Sequence, residues 1–138
     1  MRDSEGRLSA AARLRLAVRV LARYGVVRAR IRRTPLPELA TTLARPSGIR
    51  HAQPPARLSR AVDRTLRFGG DHPRCLTRAL VLYSLLCEQG DAAELVVGLP
   101  EGSTGHAAHA WVELGGRDIG PPPGSSGHVA LARFTPTS

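Results

Sequence analysis

The chain has no lysine: all 20 of its cationic side chains are arginine, set against 11 Asp and Glu for a net charge of +9 in 138 residues. Cysteine is almost as scarce, with only Cys75 and Cys87 present. If both lie on one helix they stand about 18 Å apart at roughly 1.5 Å rise per residue, far beyond disulfide reach. A disulfide scaffold is thereby excluded, and a reduced, cytoplasmic protein is expected. Long apolar runs are also missing. The longest are too short and too interrupted by arginine to span a bilayer, so no transmembrane segment is expected. Residues 1–6 carry no apolar stretch of the kind that marks a signal peptide. Aromatics amount to 4% of the chain and none interrupts the basic run at residues 28–33. A base-stacking platform for single-stranded nucleic acid is disfavoured, and nucleic acid is not an expected partner.

The arginines are unevenly placed. Residues 1–70 hold 16 Arg and 4 acids, whereas residues 71–138 hold 4 Arg and 7 acids. A basic first half suggests an acidic partner, by charge alone a peptide, a nucleic acid or a membrane surface, and we assign it to docking an acidic peptide or partner, with Arg28, Arg30, Arg32 and Arg33 as its densest patch. With 42% hydrophobic residues, this length suits one domain with a real core. We expect a single domain over residues 1–138, divided into a basic helical part at 1–55 and a core at 56–138.

Apolar spacing predicts a helix over residues 7–24, with Ser9 as its cap and Gly25 as its stop. A short helix at 37–44 and an amphipathic one at 56–67 follow, separated by a Pro- and Gly-marked loop at 45–55. The strongest helical segment is 71–90. Asp71 can cap it, Pro73 suits its first turn, and Leu76, Leu80, Tyr83 and Cys87 recur at helical spacing up to Gly90. Apolar on nearly all sides, it reads as a central, buried helix. Cys75 then lies in its first turn, where unpaired backbone N–H groups and the positive dipole end favour a thiolate, the attacking species. Cys87, among leucines, reads as a small buried hydrophobe.

After Gly90 the period changes to two. Strands are expected at 94–99 and 106–114, and Gly115-Gly116 is a hairpin turn that returns 117–120 antiparallel. Alternation puts His109, Trp111 and Glu113 on one face, with His106, Ala108, Ala110 and Val112 on the other. His106 and His109 therefore make a poor metal pair, and no metal site is expected. A thiol at a helix start and an imidazole on a strand form a candidate nucleophile and base. The Pro- and Gly-rich residues 121–127 read as a surface loop leading to a packed end at 128–134.

Taken together, Cys75-Leu76-Thr77-Arg78-Ala79-Leu80-Val81-Leu82, then Leu95-Val96-Val97-Gly98, then His109-Ala110-Trp111-Val112-Glu113 resemble the transglutaminase-like cysteine proteases that remove leaders in lasso-peptide biosynthesis. The likeness covers about residues 56–120. It implies an α+β, papain/transglutaminase-like fold, with N-terminal helices and a central Cys-headed helix packed on a small antiparallel sheet. It implies a hydrolase, a leader peptidase, with Cys75 as nucleophile, His109 as general base and no cofactor. It implies three partners: the leader region of a precursor peptide, a separate leader-binding recognition protein, and a macrolactam synthetase that takes the freed core. It also implies an acidic third residue, for which Asp118 is the downstream candidate. A two-residue turn at Gly115-Gly116, however, pairs Asp118 with Glu113, roughly 13 Å along the strands from His109 at about 3.3 Å per residue. Either the turn is wider, or the site is a dyad helped by a backbone carbonyl or water. Two other classes remain open: a transglutaminase-like acyl transferase or amidase using the same pair, and a non-catalytic basic binding module in which Cys75 is packing.

Overall fold

Four helices precede four strands along the chain: α1 (Ala10–Arg30), α2 (Leu36–Leu43), α3 (Pro55–Arg67), α4 (Cys75–Glu88), β1 (Ala93–Pro100), β2 (His109–Leu114), β3 (Arg117–Gly120) and β4 (His128–Phe134). The computed structural model describes residues 9–45, 53–67, 75–100, 109–121 and 128–136. The expected cap at Asp71, the first-turn Pro73, His106 and the loop at 122–127 lie outside these residues.

α1 starts where expected. The Ser9 hydroxyl accepts a hydrogen bond from the Ala12 N–H at 3.2 Å, occupying one of the donors a helix start leaves unpaired. It does not stop where expected. The helix runs through Gly25 to Arg30, and Gly25 is not among the glycines with positive φ. The reason is tertiary: Leu16, Val20 and Val27 are all buried in one core, so the turn beyond Gly25 is kept by burial of Val27, which outweighs the roughly 1 kcal/mol helical cost of glycine. Not all of the arginine excess faces water. Arg19 and Arg23 of α1 both ion-pair with Glu88 at the end of α4, and burial lowers the pKa of each below the ordinary guanidinium value. Arg28, Arg30, Arg32 and Arg33 are exposed.

α4 is the centre of the layer. Every residue from Ala79 to Cys87 is buried, because α1, α2 and α3 cover one side and the sheet covers the other. Its end is a Schellman motif: Gly90, at φ 90°, donates to the Cys87 carbonyl and Asp91 to the Leu86 carbonyl. A positive-φ glycine at this position ends the helix and turns the chain sharply. β1 then begins at once, with Ala93 and Leu95 buried in the core that holds Leu82, Leu85 and Leu86. It therefore runs back along α4 towards the helix start.

The sheet has the order β3-β2-β1-β4, and every neighbouring pair is antiparallel. Gly115 and Gly116 have φ of 61° and 79°, the pair of positive values that a two-residue hairpin turn of type I′ needs. Ala93, Leu95, Ala110 and Val112 belong to the core against α4, so alternation sends Glu94, Val96, His109, Trp111 and Glu113 to the outer face. The edge strand β3 is tied to α3 through the Ser59 hydroxyl, which donates to the Ile119 carbonyl. No helix among the described residues is long and apolar enough to cross a membrane. The whole is an α+β, papain-like arrangement of a buried helix on an antiparallel sheet.

Candidate active site

Cys75 is the first residue of α4 and is half-buried, whereas Cys87 is buried. The apolar surroundings push the Cys87 thiol up to about 11, which keeps it protonated near neutral pH and chemically quiet. His109 is the first residue of β2 and is half-buried. Helix and strand lengths set where the two starts lie along the chain's return. From Glu88 back to Cys75, α4 covers about 20 Å at roughly 1.5 Å per residue. From Ala93 to Gly98, β1 covers about 17 Å at roughly 3.3 Å per residue in the opposite sense. Gly98 is the register partner of His109, so by these lengths the backbone of His109 lies at the end of the sheet on the side of the α4 start.

The imidazole is on the outer face. Its ring stacks on that of Trp111, with centroids 5.8 Å apart and planes at 25°. The indole is buried, and its six-membered ring lies over Gly98. A Cβ at Gly98 would come within 2.8 Å of Trp111 Cη2 and 2.5 Å of the Val129 carbonyl oxygen. The backbone oxygen cannot swing aside as a side chain would. Gly98→Ala should therefore destabilise the fold by about 1–3 kcal/mol, as overpacking does, seen as a lower urea midpoint. It should also displace the ring that His109 stacks on.

Asp118 lies where the hairpin register takes it. It pairs with Glu113, four residues along β2 from His109, which is roughly 13 Å at about 3.3 Å per residue. Its Oδ1 accepts the Gly120 N–H at 2.8 Å, and the register shifts between Val112 and Glu113. Cys75 is thus at the start of α4 and His109 at the start of β2, while Asp118 lies further along the hairpin. Among the described residues no three His, Cys, Asp or Glu side chains gather as a metal-binding group.

Sequence reading missed the outer-face polar chain behind the imidazole. The Trp111 indole N–H donates to Glu113 Oε2 at 2.8 Å, and Arg133 of β4 donates to Glu113 Oε1 at 2.8 Å and to Glu94 Oε2 at 2.9 Å. Period two puts Trp111 and Glu113 on one face; nothing in the linear sequence shows that β4 lies beside β1 and so within reach.

A half-buried cysteine heading a buried helix that packs on an antiparallel sheet is the frame of a papain-like α+β fold. The chain belongs to the transglutaminase-like superfamily, whose family profile matches residues 8–137. That superfamily is one of cysteine-peptidase and acyltransferase-type enzymes. No curated protein and no solved structure matches the chain.

Proposed function

We propose that the chain is a cysteine peptidase that cuts the leader from a ribosomally made lasso-peptide precursor, leaving the core for macrocyclisation. The observation that supports this reading most is that Cys75 heads the buried α4 and His109 opens β2, in a chain whose Cys-helix and His-Ala-Trp-Val-Glu segments resemble those leader peptidases. Because alternation sets the imidazole on the outer face, this reading requires thiol and base to meet over the end of the sheet, not through its core face.

In the proposed reaction His109 takes the Cys75 proton and the sulfur attacks the carbonyl at the leader–core junction. Backbone N–H groups at the start of α4 stabilise the resulting oxyanion. The imidazolium gives its proton to the leaving amine as the C–N bond breaks, which frees the core and leaves the leader as a thioester. Water, deprotonated by the same imidazole, cleaves the thioester and restores the thiol. Leader recognition is assigned to a separate binding protein, and the freed core passes to a macrolactam synthetase. The test is direct: incubate the precursor with its leader-binding protein and this chain, and weigh the products. Leader and core whose masses add up to the precursor plus one water support the hydrolase; incorporation of an added amine into the leader's new carboxyl end identifies an acyl transferase.

We infer that Asp118 is not the residue that orients His109 and instead holds the end of β3 through its bond to the Gly120 N–H. Asp118→Asn should then lower kcat by less than about tenfold, where loss of a true orienting acid lowers it by about 10⁴. A kcat loss near the larger figure would restore Asp118 as the third member.

A further inference from the structure

The outer face of the sheet carries a polar chain that ends on the imidazole. Glu113 and Glu94 are direct cross-strand partners, and like charges in that position repel. Arg133, whose register partner is Val96 on the intervening strand, reaches both carboxylates through one nitrogen, at 2.8 and 2.9 Å. Glu113 is the more enclosed of the two, its side chain 12% exposed against 39% for Glu94. Its bond to Arg133 is thus less screened than an ordinary surface pair. With one oxygen held by Arg133, Glu113 presents the other to the Trp111 indole N–H. Trp111 is fixed twice over, by that bond at its pyrrole side and by its seat on Gly98 at its benzene side. The stacked His109 ring meets a plane that has one orientation.

We propose that Glu113 and Arg133 are positioning residues for His109, holding the Trp111 indole as the wall that sets the imidazole plane. The indole face also favours a cation, so the wall stabilises the imidazolium formed when His109 takes a proton. In its kinetic consequence the inference rests on the peptidase reading; in its structural consequence it does not.

The test is NMR of the histidine ring protons, with the His109 signals assigned by their absence in His109→Ala, alongside steady-state cleavage kinetics. In the unaltered chain the indole displaces the His109 signals by its ring current. Glu113→Ala should lose most of that displacement and lower kcat by about ten- to a hundredfold, the scale of a slightly misplaced catalytic group, with KM little changed. Glu113→Gln keeps an acceptor for the indole N–H and should retain both. Arg133→Gln, on an exposed part of the edge strand, should shift the signals in the same direction by less; it serves if Glu113→Ala does not fold. Unmoved His109 signals in folded Glu113→Ala and Arg133→Gln would overturn the inference, and so would a fall in kcat without any ring displacement. If the chain cleaves no peptide at all, the peptidase reading fails while the ring signals still judge the brace.

Discussion

Cys75→Ala should abolish cleavage of the precursor, lowering kcat by about 10⁴- to 10⁶-fold, the range found when a covalent nucleophile is removed. The size follows from mechanism. Without sulfur there is no thioester, and the two easier steps revert to direct attack by water on an amide. What remains is positioning and whatever the helix-start N–H groups offer to an oxyanion. Stability should barely change, because Cys75 is half-buried at the first residue of α4 and truncation to Ala there opens little cavity. Product masses over a time course, with thermal melting as the folding control, measure both. Cleavage close to the unaltered rate would remove Cys75 from the mechanism.

His109→Ala should cost about 10²- to 10⁴-fold in kcat, the usual contribution of a positioned general acid–base. The loss should be smaller than that of Cys75, since hydroxide can replace the lost base while the nucleophile remains. It should shrink as pH rises, because hydroxide becomes more abundant and takes over the lost base's part. Two features keep the experiment interpretable. His109 opens β2 and its neighbours Ala110 and Val112 carry the core face, so the sheet does not depend on the imidazole. Trp111 keeps its bond to Glu113 and its seat on Gly98, so the wall survives. A deficit that stays constant from neutral to alkaline pH would indicate that His109 binds substrate and moves no proton.

Much of this molecule is legible in one dimension. Ser9 at the start of α1 and the two glycines of the β2–β3 turn act locally: a hydroxyl three residues from its N–H, and two backbones free to take positive φ. The Cys75 helix and the His109 strand are legible because burial writes period 3.6 and period two into the chain. Gly25 misled because its local cost is small and the burial of Val27, set by distant parts of the chain, decides the helix length. The Arg133–Glu113–Trp111 chain was invisible for the same reason. It depends on β4 pairing with the free edge of β1, a long-range choice that no spacing within β2 records. The hairpin register, by contrast, follows from the turn alone, and it places Asp118 opposite Glu113 as two glycines require.

The alkylation rates of Cys75 and Cys87 at neutral pH, measured by peptide mapping in the unaltered chain and in His109→Ala, test the pairing of thiol and imidazole most directly. Cys87, whose thiol burial raises to about 11, should be nearly inert in both. Cys75 should react far faster than Cys87 in the unaltered chain and should slow markedly when His109 is removed. Equal inertness of the two thiols, or a Cys75 rate that ignores the loss of His109, would contradict the account.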